Sequence, residues 1–182
     1  DTYFERNTGV FKSVEETIAY ICRELGVQAE AGAIKTAAKM RHDYAERVMM
    51  APRLDAVETL VYLRKQGYRT GLISDCTPDA PAIWPDTPFA LLVDASVFSC
   101  LVGLKKPDPR IYNLVLERLG VEAKDCLYVG NGGSSELAGA SQVGMHPVLV
   151  VQGANDPGSY YIDIQWEGDV ISSFKEVLTL VS

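Results

Sequence analysis

The sequence predicts an α/β fold: a Rossmann-like, doubly wound, mainly parallel sheet carrying a small α-helical module on its N-terminal side. Three observations carry this expectation. From about Phe11 to Met50 the only periodicity is helical. From Asp55 onward, short apolar runs alternate with amphipathic stretches, the pattern of right-handed crossovers between parallel strands. The chain has 182 residues, 47% of them hydrophobic and 23% charged, which suits a single soluble domain or one with a small appendage.

The elements follow in order. Ser13 and Glu16 form a capping box, after which Val14, Ile18, Ile21, Cys22 and Leu25 recur at helical spacing until Gly26. Ala29 to Met50 continues in helix formers, with Ile34, Ala38, Met40, Tyr44 and Val48 as apolar points. Ala51-Pro52-Arg53 breaks the pattern, so residues 1–52 are read as a helical module and residues 53–182 as the sheet domain. In the second part Asp55 to Gln66 is a helix closed by Gly67, and Arg69 to Ser74 a strand. Asp94 to Leu101 is a second strand, and Pro109 to Leu119 a helix closed by Gly120. Cys126 to Val129 is a third strand, Ser134 to Val143 a helix and Pro147 to Val151 a fourth strand. Asp169 to Val181 is read as a final helix with Asp169 as its N-cap.

Composition narrows the function. A net charge of −7 opposes binding to a phosphate backbone, so no nucleic-acid partner is expected. Local basic groups can still hold a small anion. Cys22, Cys76, Cys100 and Cys126 form no CxxC pair, which points to reduced, mostly buried thiols. His42 and His146 lie in different segments, which argues against a histidine metal site. No apolar run reaches membrane-spanning length and no signal peptide opens the chain, so a cytoplasmic protein with no membrane partner is expected. Nothing in the sequence bears on oligomeric state.

Three polar clusters each follow a strand, the end at which α/β folds bind ligands. The first is Ser74-Asp75 in "GLISDCTPDAP", whose residues equally suit an ordinary turn. The second is "GLKKPDPRIY", where Lys105 and Lys106 precede a proline-started helix. A lysine there suits an anionic oxygen, although most single lysines are simply solvated. The third is "LYVGNGGSSELAGA", where Gly130, Gly132 and Gly133 allow a tight turn before Glu136. Such a turn can offer N–H groups to an anion or oxygens to Mg²⁺, or can serve close helix–strand packing alone. It fits neither GxGxxG nor GxxxxGK[ST].

Together, the order and spacing of the clusters resemble the haloacid dehalogenase-like (HAD) hydrolase superfamily, in its phosphatase-like branch with an α-helical cap. The resemblance covers nearly the whole chain. It implies that Ser74 hydrogen-bonds a transferring phosphoryl group and that Lys106 neutralises nucleophile and phosphate. It implies that Asp75 orients substrate or closes the turn, and that Asn131 and Glu136 stand at the Mg²⁺-binding positions. All should converge at one end of the sheet, and the partner is a small phosphorylated substrate.

Two departures qualify that expectation. The family's Asp nucleophile lies on an hhhDxDGT strand before the cap. Asp1-Thr2-Tyr3-Phe4 already reads as the cap's edge, so the core is expected to lack its first strand. Asn131 replaces the expected metal-binding Asp, so Mg²⁺ should bind weakly or not at all. A phosphoaspartate mechanism needs that carboxylate, so residues 1–182 alone are not expected to turn over. Three readings follow: a phosphohydrolase whose nucleophile lies outside these residues, a degenerate ligand- or partner-binding member, or a 2-haloacid dehalogenase.

Overall fold

The computed structural model describes residues 3–151 and 166–181. Asp1 and Thr2, the first half of the expected cap edge, lie outside them. Nine helices and five strands follow one another along these residues. They begin α1 (Tyr3–Asn7), α2 (Val14–Glu24), α3 (Ala31–Met49), α4 (Leu54–Lys65), β1 (Gly71–Ser74), α5 (Asp79–Ile83), β2 (Ala95–Phe98) and α6 (Ser99–Val102). They continue α7 (Pro109–Leu119), β3 (Leu127–Gly130), α8 (Glu136–Gln142), β4 (His146–Val150), β5 (Asp169–Ile171) and α9 (Val177–Leu180). The fold is α/β, as the sequence predicts. Among the described residues, no helix is long and apolar enough to cross a membrane.

The chain divides into two compact units. The first holds residues 1–52 with 74–91 and 97–105, and the second holds 53–73, 92–96 and 106–182. The chain passes between them after Pro52, while two segments that the sequence groups with the sheet domain sit in the first unit.

In the first unit α2 starts as its sequence dictates. Ser13 Oγ accepts the Glu16 N–H at 3.1 Å, and the Glu16 carboxylate reaches back to the Lys12 N–H at 2.7 Å. Phe11 packs on Tyr20 with ring centroids 4.8 Å apart, and Ala38 of α3 is buried. Trp84 packs edge-on against Phe98, with Ile83 buried nearby in sequence.

In the second unit β3, β4 and β5 form a parallel sheet in that order, with Val129 opposite Val148 and Val150 opposite Ile171. Its core joins Leu63, Val148, Val150, Ile171 and Val177, flanked by Leu127, Val129 and Phe174. Burying each such side chain is worth about 1.5–3 kcal/mol, which fixes β4 and β5 against α4. Helix α7 has the predicted bounds: the Asp108 carboxylate caps the Arg110 N–H at 2.9 Å, Pro109 opens it, and Gly120 closes it at φ 65°.

Three expectations are corrected. Asp169 does not cap a helix; it begins β5, and helix resumes only at Val177. Ile171, β-branched and apolar, gains more by filling the space beside Val148 and Val150 than a helix start could offer. The strand predicted to reach Leu101 ends at Phe98, where Ser99 turns inward and its Oγ accepts the Cys76 N–H at 2.9 Å. The helix predicted from Ser134 begins at Glu136, because Ser134 and Ser135 take left-handed φ values of 56° and 51°. All four cysteines are free; Cys76 and Cys100 are buried, Cys22 and Cys126 half-buried.

Candidate active site

The second unit brings Lys106, Asn131 and Glu136 to the carboxyl end of β3. Residues alternate faces along a strand, so Tyr128 and Gly130 share one face of β3. A Cβ on Gly130 would overlap Glu136 Oε1 and lie 2.6 Å from Glu136 Cδ, so only glycine lets the Glu136 carboxylate lie over the strand end. There Lys106 Nζ donates to Glu136 Oε2 at 2.5 Å, and the Tyr128 hydroxyl donates to the same oxygen at 2.9 Å. The Gly132 N–H donates to Oε1 at 3.1 Å. The Tyr112 hydroxyl holds the Glu136 main-chain carbonyl at 2.9 Å, and its ring meets Tyr128 edge-on at 5.5 Å.

The two charged side chains are 13% and 5% exposed for Lys106 and Glu136. A buried ion pair this closed persists only where further hydrogen bonds satisfy the carboxylate, which Tyr128 and Gly132 supply. Asn131 sits half-buried at the head of the turn, its Oδ1 accepting the Gly133 N–H at 3.1 Å. The consecutive left-handed serines swing the chain so that Glu136 faces back over Gly130. Non-glycine residues hold that conformation only where their surroundings impose it.

These residues, as arranged, do not fit a divalent cation. Lys106 already neutralises Glu136, and Asn131 is neutral with its oxygen engaged by Gly133. Among the described residues no three His, Cys, Asp or Glu side chains gather as a metal site would require. Mg²⁺ at this turn would have to displace Lys106 from Glu136.

Ser74 ends β1 and falls with Asp75 in the first unit. Both are half-buried. The turn they begin is pinned from two directions within that unit. Arg41 of α3 donates to Thr77 Oγ1 at 3.0 Å and lies 3.2 Å from the Asp79 carboxylate, whose side chain is 1% exposed. Thr77 also donates to Asp79, and Ser99 holds the Cys76 N–H.

Sequence reasoning missed Tyr128, Tyr112 and Arg41. The signal for Tyr128 was present, since a tyrosine two residues before a glycine on one strand face has its ring beside whatever the glycine admits. Nothing local marks Arg41, whose partners lie 36 and 38 residues away, as its contacts to Thr77 and Asp79 record.

Comparison with known proteins identifies the family. The sequence profile described as haloacid dehalogenase-like hydrolase matches residues 3–144. The "Rhythmically expressed gene 2 protein" of Drosophila melanogaster is 28% identical over 114 residues, 59% of this chain and 44% of that protein. A glyceraldehyde 3-phosphate phosphatase of Methanopyrus kandleri is 26% identical over 136 residues, 73% of this chain and 57% of the relative. The chain thus spans about half the length of the curated relatives it matches. The solved L-2-haloacid dehalogenase of Xanthobacter autotrophicus shares the fold, with a TM-score of 0.69 at 20% identity over 99% of this chain and 80% of that one. With most of its length matched by the family profile, the chain belongs to the haloacid dehalogenase-like hydrolases.

Proposed function

We propose that this chain belongs to a phosphohydrolase acting on a small phosphorylated metabolite. Ser74 holds the transferring phosphoryl group, Asp75 orients it, and Lys106 offsets its charge. The nucleophile in this reading is a carboxylate on a further strand that pairs within the core. The observation that carries the reading is Lys106, a partly buried ammonium held by Glu136 at a strand's carboxyl end. An ammonium is a compact cation that attracts phosphate oxygen as it attracts a carboxylate. Relatives named as glyceraldehyde 3-phosphate phosphatases support phosphorylated substrates, beside one named as an (S)-2-haloacid dehalogenase.

Asn131 favours a second reading, a member that binds an anion without turnover, because it removes a charge from the Mg²⁺ positions. The test is release of phosphate from p-nitrophenyl phosphate and glyceraldehyde 3-phosphate, beside chloride from 2-chloropropionate, by the full-length protein. The proposal expects phosphate release, with Ser74→Ala and Lys106→Met each lowering kcat/KM about 100-fold or more. Chloride release instead would establish the dehalogenase. Inorganic phosphate binding that Lys106→Met abolishes, with no product from any substrate, would establish the binding reading.

A further inference from the structure

We propose that Cys76 and Cys100 form a dithiol–disulfide site that closes on reaction with a hydroperoxide. Their sulfurs lie 3.7 Å apart, and a disulfide needs about 2.05 Å, an approach that side-chain rotation can supply. The two backbones are already tied, since the Cys76 N–H donates to Ser99 Oγ, one residue before Cys100. Both thiols are nearly closed off, at 9% and 7% exposure, so a small oxidant is the suitable class. The pair is also polarised. The hydrogen bond from Cys76 holds Cys100 below the usual thiol range, while the same contact and burial push Cys76 well above it. Cys100 is therefore the attacking sulfur.

The chemistry balances in two steps. The Cys100 thiolate attacks one peroxide oxygen; an S–O bond forms, the O–O bond breaks, and the departing hydroxide leaves as water after taking a proton. Cys76 sulfur then attacks Cys100 sulfur; the S–S bond forms, the S–O bond breaks, and the hydroxyl leaves with the Cys76 proton as a second water. Two thiols lose two electrons and the peroxide gains them.

The location gives the site a consequence. Cys76 lies two residues beyond Ser74, in the turn that follows β1. Disulfide closure draws the Cys76 sulfur toward Cys100 and pulls on the short turn between Cys76 and Ser74, so oxidation shifts the serine. This effect on turnover rests on the phosphohydrolase reading; the disulfide itself does not.

The test treats the native full-length protein with hydrogen peroxide, blocks free thiols with N-ethylmaleimide and maps peptides by mass. The expected result is a peptide pair joined at Cys76 and Cys100, lighter by two hydrogens and restored by dithiothreitol, in wild type and in Cys22→Ser/Cys126→Ser. Cys100→Ser should slow peroxide consumption at least tenfold. Alkylation of both Cys76 and Cys100 after oxidation of Cys22 or Cys126, or a Cys76–Cys100 link formed only in urea, would overturn the site. Linkage that leaves p-nitrophenyl phosphate hydrolysis unchanged in an otherwise active enzyme would overturn its coupling to Ser74.

Discussion

Replacing Glu136 by Gln tests whether the Lys106–Glu136 pair governs the second unit. The carboxylate is 5% exposed and holds Lys106 at 2.5 Å, Tyr128 at 2.9 Å and the Gly132 N–H at 3.1 Å. Removing its charge leaves an ammonium, 13% exposed, without its counter-ion, and breaking a buried pair this way costs about 3–5 kcal/mol. Some water reaches Lys106, so the lower end of that range, about 3 kcal/mol, is expected. Lys106→Met should cost less, about 2 kcal/mol, because Tyr128 and Gly132 still solvate the remaining carboxylate. The double variant should cost no more than Glu136→Gln alone, about 3 kcal/mol, since neither charge is then stranded, which is a coupling of about 2 kcal/mol. Urea unfolding of the four proteins measures it, provided m is unchanged. The exposed Lys39–Asp43 pair, 2.6 Å apart with side chains 74% and 48% exposed, serves as the control. Its coupling should vanish in 1 M salt while that of Lys106–Glu136 persists, because a Debye length of about 3 Å screens only solvated charges. A Lys106–Glu136 coupling below about 0.5 kcal/mol, or one that salt abolishes, would refute the reasoning.

Gly130→Ala should push the Glu136 carboxylate off the β3 end and destabilise by about 2–4 kcal/mol, read as a lowered urea midpoint; an unaffected midpoint would show the carboxylate free to move. Asn131→Asp should strengthen Mg²⁺ binding measured by calorimetry, and tight binding by the unsubstituted protein would contradict the donor arrangement described above. Asp55 is held below the usual carboxylate range by Arg53 and then by the Phe174 and Ala56 N–H groups, with burial opposing them. Its folded pKa is depressed, so its contribution is present above about pH 4 and lost as pH falls through the folded value. Asp55→Asn should therefore be about 1 kcal/mol less stable at pH 7, and the gap to wild type should close as pH falls through the folded value.

Local chemistry was legible, and non-local pairing was not. Helix α7 has its predicted bounds because Asp108, Pro109 and Gly120 act within their own turns. Asp169 misled because capping preference is a local signal, whereas β5 exists through Val170 and Ile171 pairing with Leu149 and Val150 some twenty residues earlier. The site shows the same division. Turn residues after strands mark Lys106, Asn131 and Glu136 in the sequence, but not the contact between Lys106 and Glu136. The structure sets Lys106 on Glu136, thirty positions away, through a gap that Gly130 opens. Nothing in a linear pattern records which anion a lysine meets.

Burial across the strands bears on the proposed nucleophile strand. In doubly wound sheets the interior strands are the most buried, since helices cover both faces. The three-stranded sheet follows this order, with β4 buried between β3 and β5. Leu72, Ile73 and Ser74 of β1 and Leu127, Tyr128 and Val129 of β3 are only half-buried, while Val97 and Phe98 of β2 and Val148, Leu149 and Val150 of β4 are buried. Among the described residues β1 pairs only with β2, and β3 only with β4, so both behave as sheet edges. Yet these two strands end at Ser74 and at the Asn131–Glu136 turn, the residues to which chemistry is assigned. Bare strand edges invite pairing with another strand. An apolar strand accepted along β3 would cover its half-buried face, satisfy its outward N–H and C=O groups, and bring a carboxylate to the strand end where Lys106 stands. The polarity of the site agrees with that role: a partly buried lysine beside Glu136 is a cation able to stabilise a second carboxylate or the phosphoryl group it would carry.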